Sequence, residues 1–485
     1  MIRLAPGAHV HLIGIAGTGM GALAGLLQEA GFRVTGSDAE IYPPVSTLLE
    51  ELNIPVKDGY RADNLDNVPD MVVIGNAISR GNQELETVLD RGIPYVSMPE
   101  LLRELFLDKR KTIVVAGTHG KTTVTSMLAW IFHFAGRSPG YLIGGIPANF
   151  PHSFSAGAGG EFILEGDEYD TAFFDKGPKF LHYRPDAVVL NPVEFDHADI
   201  FADLDAVKTA FLRLVNLIPR KGILIVCAES PVAMECASKA YCKVESFGLD
   251  CGEWAAREVR WENGSGKFLV EFRGKNIGNL ETTLAGEHNI KNFLAAAAMA
   301  SRCGIAWEQI QQAARTFRGV RRRLEAVGEA AGIVVIDDFA HHPTAVRETL
   351  RAARKRFPSS RIWALLEPRS NTLRRNIFEK ELVQALALAD HVVLADVYRK
   401  DKIPEAERLE PARVVSGLRS LGIPTELGSS ADDITQYLLP LLQSGDVIVV
   451  MSNGSFGGIH QKILDGLKSR NMLPNHRSLS PVKIG

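Results

Sequence analysis

Thr112-Ile113-Val114-Val115-Ala116-Gly117-Thr118-His119-Gly120-Lys121-Thr122-Thr123 is the stretch on which the fold turns. Its first five residues, mostly β-branched, predict a buried strand. The two glycines predict a tight turn, and the residues from there to Ala135 predict a helix. A strand entering a helix this way aligns free backbone N–H groups at the helix N-terminus, a natural seat for phosphate. Gly117 and Gly120 let the backbone approach phosphate oxygens closely. Lys121 can reach the terminal phosphates, and the Thr122 hydroxyl can ligate Mg2+. Gly117, Thr118, His119, Gly120, Lys121, Thr122 and Thr123 are therefore the candidate nucleotide loop, and ATP with Mg2+ the expected occupants. The glycines stand closer together than in the common Gly-x4-Gly-Lys pattern, so this is a variant loop. The competing reading is an ordinary strand–helix turn with a chance Lys-Thr pair.

The same grammar recurs on either side. Val10-His11-Leu12-Ile13-Gly14 leads through a glycine turn into a helix around Ala22 to Ala30. Ile333-Val334-Val335-Ile336-Asp337-Asp338 leads into a helix from Pro343 to about Lys355. Repeated strand–turn–helix units predict parallel α/β structure. A chain of 485 residues is too long for one core, and the length prior is about three domains. Polar seams at Asp108-Lys109-Arg110-Lys111 and Phe317-Arg318-Gly319 divide it into 1–108, 109–318 and 319–485. Short strands with turn residues such as Asn263-Gly264-Ser265-Gly266 predict a mixed or antiparallel extension of the middle domain between about 221 and 285. The polar tail from Asn475 to Gly485 is expected to be loose.

Two further clusters fall at predicted strand ends. Phe162-Ile163-Leu164-Glu165-Gly166-Asp167-Glu168-Tyr169-Asp170 runs into a carboxylate-dense turn. Ala187-Val188-Val189-Leu190-Asn191 ends in Pro192-Val193-Glu194-Phe195-Asp196-His197-Ala198-Asp199. Ligands of open α/β sheets gather at the carboxyl ends of the strands. Oxygen and imidazole groups there suit Mg2+ bound between ATP phosphates and a substrate carboxylate. Taken alone, each cluster reads more readily as solvated loop residues, and a lone His as structural; their placement together with the phosphate loop favours the functional reading. Near the start, Gly17-x-Gly19-x-x-Ala22 with Asp38 at the end of the next apolar segment fits a dinucleotide fingerprint. Such a turn recognises a pyrophosphate without specifying nicotinamide, so a UDP-linked substrate and a dehydrogenase cofactor both enter. With an ATP loop in the next domain, the UDP-linked substrate is the more economical.

Bulk properties exclude other classes. A net charge of -3 lacks the basic excess of a nucleic-acid binder, and the run Arg321-Arg322-Arg323 reads by default as a solvated face. No apolar stretch approaches the roughly 18 residues of a membrane span, and residues 1–14 do not read as a signal peptide. The five cysteines, odd in number and irregularly spaced, read as reduced thiols. The expectation is a cytoplasmic protein, monomeric or dimeric, that binds neither nucleic acid nor membrane.

Together these motifs resemble the Mur ligases, the ATP-dependent amide-forming enzymes of peptidoglycan assembly, over nearly the whole chain. The resemblance is carried by His11-Leu12-Ile13-Gly14-Ile15-Ala16-Gly17-Thr18-Gly19-Met20, the Gly117–Thr123 loop, Asp196-His197 and Gly286-Glu287-His288-Asn289-Ile290-Lys291-Asn292. It continues in Arg321-Arg322-Arg323-Leu324-Glu325 and Asp337-Asp338-Phe339-Ala340-His341-His342-Pro343-Thr344. It implies a Rossmann-like N-terminal domain, a central P-loop ATPase-like domain and a Rossmann-like C-terminal domain. The N-terminal turn and the paired histidines resemble the users of UDP-N-acetylmuramate. The stretches 165–176 and 194–201 resemble the subgroup that adds a preformed murein tripeptide. The subgroup adding L-alanine typically has Ser-Asp-Glu-Ser-Asp and His-Met-Asp there. Pro192 and Gly177-Pro178 depart from the tripeptide-adding pattern. Lys208 stands too early after His197 to match the modified lysine of other members, so no carbamylated lysine is expected.

The resemblance also implies roles. Lys121 and Thr122 contact the γ-phosphate and Mg2+, and Glu165 and His197 are metal ligands. Asn292 meets adenine, and Arg323 and Asp338 serve the ATP phosphates and ribose, with His342 beside them. Lys121, Glu165, His197 and Arg323 form the expected catalytic set. Gly17, Thr18, Gly19, Met20 and Asp38 fall on the UDP side, and Arg369 and Ser455 on the acceptor side. The implied reaction joins L-alanyl-γ-D-glutamyl-meso-diaminopimelate to UDP-N-acetylmuramate through an acyl phosphate, in murein recycling. Closure of the third domain over the middle one would keep water from that intermediate. The rivals are an L-alanine ligase and a non-catalytic sensor of UDP-muramyl compounds.

Overall fold

In the computed structural model, Lys111–Ala116 is the strand that organises the middle of the chain, flanked in parallel by Ala187–Leu190 and Glu161–Glu165. The structure describes residues 4–262 and 265–472. The tail 475–485, and Asn263-Gly264 of the predicted turn, lie outside the described residues. Along Lys111–Ala116 the side chains alternate between two cores: Val114 and Ala116 enter one, Ile113 and Val115 the other. Its neighbours alternate in the same way, so these strands are buried on both faces, as a parallel sheet covered by helices must be.

The described residues form two units. One runs through Leu284 and resumes from His288 to Arg321; the other takes Ala285–Glu287 and the chain from Arg322 onward. The first holds two main sheets. A five-stranded parallel sheet runs in the order Val56–Asp58, Arg33–Asp38, His9–Ile13, Met71–Ile74, Tyr95–Ser97. A ten-stranded sheet is centred on Lys111–Ala116. On one side it continues through Ile223–Cys227 and Lys243–Leu249 to the antiparallel strands Trp254–Glu262, Ser265–Phe272 and Lys275–Thr282. These are the antiparallel extension expected between 221 and 285. Phe154, at the sheet's other end, packs its ring where a Cβ on Gly25 would otherwise stand, at 2.0 Å. This joins the N-terminal helix Thr18–Glu29 to the middle sheet.

The second unit is a six-stranded sheet in the order Glu325–Ala330, Ile333–Asp338, Val447–Met451, Ile362–Leu366, His391–Ala395, Thr425–Gly428. Only the first pair is antiparallel. The helix Pro343–Arg356 packs Val346, Leu350 and Ala353 on one face, whereas Ile459–Met472 packs Ile459, Ile463 and Leu467 on the other. From the edge strand Thr425–Gly428 the chain returns to place Val447–Met451 between Ile333–Asp338 and Ile362–Leu366, and ligands of open α/β sheets gather at the carboxyl ends of strands beside such a switch. The passage into this unit falls at 321/322. Among the described residues no helix is long and apolar enough to cross a membrane, and all five cysteines are free thiols.

Candidate active site

Strand register brings the functional groups to one edge. Ala116 lies opposite Leu190, and Val115 opposite Glu165, so Gly117, Glu165 and Asn191 all emerge at the carboxyl ends of adjacent parallel strands. Gly117 has φ 121° and Gly120 φ 80°, a conformation that glycine adopts without steric cost. Gly120 is the N-cap of the helix Lys121–Phe134, whose first N–H groups have no intrahelical acceptor by geometry. The Thr118 N–H donates to Pro192 O at 2.8 Å, and its hydroxyl donates to Glu194 O at 3.0 Å and accepts from Glu194 N at 2.9 Å. His119 Nε2 lies 3.1 Å from a Glu194 carboxylate oxygen. These two residues tie the loop to the 192–194 segment. Lys121 and Thr122 open the helix, and the Thr123 side chain is buried.

Thr122 Oγ1 donates to Glu165 Oε2 at 3.1 Å, and Gly144 N donates to Glu165 Oε1 at 2.5 Å. Two hard oxygen donors thus sit side by side, the donor chemistry that Mg2+ takes. Lys121 Nζ donates to Gly117 O at 2.7 Å and lies 2.9 Å from both Glu168 oxygens. Burial opposes its charge, but the neighbouring Glu168 and Asp167 outweigh that and hold its pKa above the usual lysine value. His197 Nε2 is 3.1 Å from Glu168 Oε1, and its ring packs 4.2 Å from that of Tyr169. Burial disfavours the imidazolium, yet the bond and charge of Glu168 raise its pKa. With φ 56°, His197 occupies a left-handed conformation uncommon outside glycine, a strain that clusters at functional sites.

Two residues outside the expected set belong here. Glu168 is 2% exposed and joins Lys121 to His197. It lay in plain view within the acidic turn, but nothing in spacing marked it as the lysine's partner. Asn191 is 1% exposed and neither of its amide atoms has a hydrogen-bond partner. A Cβ at Gly120 would stand 2.8 Å from its Nδ2 and 2.6 Å from Asn292 Oδ1. The signal was available: an amide ending an otherwise apolar strand. Asn292 is buried at the same place and donates to Asn289 Oδ1 at 3.3 Å.

In the N-terminal sheet, Gly17 caps the helix Thr18–Glu29 without a side-chain bond, and Gly17, Thr18 and Gly19 are exposed. Met20 is buried in the core, so only its backbone N–H faces the turn. The Asp38 carboxylate accepts from Ala16 N at 2.9 Å, Ala39 N at 2.8 Å and Tyr60 Oη at 3.0 Å. It shapes the turn from within.

In the second unit the remaining expected residues lie near the carboxyl ends of Ile333–Asp338, Ile362–Leu366 and Val447–Met451. Arg322 is no solvated arginine: it donates to Asp337, Ser452 O and Gly454 O. Arg323 lies over the Phe339 ring at 5.3 Å. Asp338 is buried and accepts from Leu324 N, Ala340 N and Thr349 Oγ1; burial pushes its pKa up despite these bonds and Arg323. His342 caps the helix Pro343–Arg356, its Nδ1 accepting from Thr344 N at 3.3 Å. Arg369 stacks on the Tyr398 ring at 3.9 Å and lies 3.7 Å from Glu367 Oε1. Glu367 also accepts from Ser452 Oγ at 2.5 Å, and Ser455 is exposed.

Comparison with known proteins finds three family models in succession. "Mur ligase family, catalytic domain" matches residues 9–110, "Mur ligase middle domain" 115–300, and "Mur ligase, glutamate ligase domain" 322–454. The chain is 43% identical to the UDP-N-acetylmuramate–L-alanyl-γ-D-glutamyl-meso-2,6-diaminoheptandioate ligase of Escherichia coli K12, over 95% of this chain and 99% of that protein. It is 31% identical to the UDP-N-acetylmuramate–L-alanine ligase of Alkaliphilus metalliredigens, over 94% and 97%. The crystal structure of a murein peptide ligase from Psychrobacter arcticus superposes with a TM-score of 0.73 at 39% identity, over 95% of this chain and 99% of that one.

Proposed function

This chain belongs to the Mur ligase family, and from that premise we propose that it joins L-alanyl-γ-D-glutamyl-meso-diaminopimelate to UDP-N-acetylmuramate, using ATP, in murein recycling. The observation that carries the reading is the convergence of Lys121, Thr122, Glu165, Glu168 and His197 at one sheet edge. Preference for the tripeptide over L-alanine rests on the nearer identity to the tripeptide-adding relative.

A carboxylate is a poor acyl donor because its leaving group would be oxide. An oxygen of the lactyl carboxylate attacks the γ-phosphorus of ATP; the bond to the β–γ bridging oxygen breaks, ADP leaves, and an acyl phosphate results. The amine of the peptide then adds to the acyl carbon. The carbon–oxygen bond to phosphate breaks, inorganic phosphate leaves with the electron pair, and the nitrogen loses a proton as the amide forms. Phosphoryl transfer of this kind depends on positioning and charge neutralisation. Lys121 and the first-turn N–H groups hold the phosphoryl oxygens. Thr122 and Glu165, side by side, would hold Mg2+, and His197 is assigned to the metal on the resemblance alone; the metal, when bound, neutralises phosphate charge. Asn292, Arg323, Asp338 and His342 are assigned to the nucleotide on the resemblance alone. Gly17, Thr18, Gly19, the Met20 backbone and Asp38 are assigned to the UDP diphosphate, and Arg369 and Ser455 to the acceptor.

The test is phosphate release with ATP, UDP-N-acetylmuramate and either acceptor. Turnover should require the tripeptide, and Lys121→Ala should abolish it while UDP-N-acetylmuramate still binds. Release with L-alanine alone would move the chain to the other subgroup. Release with neither acceptor would make it a sensor.

A further inference from the structure

We propose that Glu168 is a positioning residue of the phosphoryl-transfer step that holds Lys121 in the free protein and yields it to the nucleotide's phosphates. The inference rests on the reading of Gly117–Thr123 as the ATP loop.

An ammonium has three donors and no acceptor. Lys121 meets three oxygens within hydrogen-bond distance: Gly117 O and both oxygens of Glu168. Its donors are thus fully matched inside the protein, and a γ-phosphate can gain the ammonium only by displacing one of these partners. Gly117 O is fixed by the loop itself. Glu168 is the anionic partner, competing with phosphate for the ammonium through charge of the same sign, so it is the one exchanged. Glu168 is buried, and its Oε1 also stands 3.1 Å from His197 Nε2. As it loosens from Lys121 it stays linked to His197, so that seating the nucleotide and orienting His197 become one event.

Two consequences follow that a merely structural carboxylate would not produce. A buried ion pair that loses one partner leaves an uncompensated charge. Glu168→Gln therefore removes the carboxylate hydrogen-bonded to the Lys121 ammonium, leaving Asp167 and Glu165 to offset its charge in the free protein, and bound phosphate makes up the loss. By linkage, the variant should bind nucleotide more tightly than the wild type while its free form melts lower. Turnover should nevertheless fall, because His197 has lost the carboxylate that orients it.

The experiment measures Kd for ATP–Mg2+ by calorimetry, the melting temperature with and without ATP, and kcat with UDP-N-acetylmuramate and tripeptide. It compares the full-length wild type with Glu168→Gln. Expected are a Kd at least threefold lower, a larger ATP-induced rise in melting temperature, and a kcat at least tenfold lower. Glu168→Asp, which keeps the charge, should return the Kd towards the wild-type value. If the free Gln variant is too unstable to purify, the Asp variant must still show a wild-type-like Kd with reduced kcat. An unchanged or weaker Kd in Glu168→Gln, or an Asp variant that binds ATP more tightly than wild type, would overturn the proposal. Failure of the wild type to bind ATP would instead overturn the reading of the loop.

Discussion

Gly120 shows how much of the site is decided at single residues. Its φ of 80° is open to glycine and costly to any side chain, and a Cβ there would stand 2.6 Å from Asn292 Oδ1 and 2.8 Å from Asn191 Nδ2. Strain of this kind is worth about 1–3 kcal/mol. Gly120→Ala should lower the melting temperature and weaken ATP binding at least tenfold; calorimetry giving a wild-type Kd would show that the loop's conformation is not what seats the phosphates. At this scale the sequence disclosed chemistry more readily than contact. Lys121, Thr122 and Glu165 could be picked out together because a phosphate or metal site would need such groups beside a strand end, and the structure places them at one sheet edge. The pairing of Lys121 with Glu168, the inward turn of Met20, and the commitment of Asp38 to Ala16, Ala39 and Tyr60 depend on which way each side chain points, and spacing carries no such direction.

At the scale of elements, the link between the phosphate loop and the end of the strand Ala187–Leu190 matters most. Thr118 makes it twice through its hydroxyl, once as donor and once as acceptor to the Glu194 backbone. Thr118→Val keeps the shape and removes both bonds, and with Glu194 N–H and C=O left less well satisfied the cost is about 1–3 kcal/mol. The expected result is a melting temperature lower by about 2–4 °C for each kcal/mol lost, with ATP affinity reduced because the 192–197 segment carries His197. A melting curve matching the wild type would show the link to be idle. The elements themselves were legible. Helices expected at about 22–30, up to 135, and 343–355 are found at Thr18–Glu29, Lys121–Phe134 and Pro343–Arg356, since buried parallel strands and amphipathic helices leave distinct periodicities. Strand order was not legible. That Lys111–Ala116 lies between Ala187–Leu190 and Glu161–Glu165 follows from hydrogen bonding between strands distant in the chain.

The whole molecule brings in terms that no single element holds. Glu245 is buried between the end of the helix Glu287–Arg302 and its own strand, with Arg302 Nε at 2.7 Å and Trp254 Nε1 at 2.8 Å. Burial alone would raise its pKa, but hydrogen bonds from Arg302, Lys243 and Trp254 outweigh this and hold it below the usual carboxylate range. A depressed folded-state pKa contributes stability that is present above the unfolded value, near 4, and is lost as pH falls through the folded value. The protein should therefore lose stability progressively below about pH 4. Glu245→Gln should lower the melting temperature at neutral pH and flatten that acid limb; an acid limb as steep as the wild type's would place the pH dependence elsewhere.

On the proposed function, the Gly117–Thr123 loop, the acidic and histidine clusters and the N-terminal glycine turn serve one act, the activation of a sugar-lactyl carboxylate for amide synthesis. The most direct test follows one oxygen. UDP-N-acetylmuramate labelled with 18O in its lactyl carboxylate is turned over with ATP and the tripeptide, and the released phosphate is weighed. Passage through an acyl phosphate predicts one 18O in each phosphate released. Phosphate carrying none would contradict it.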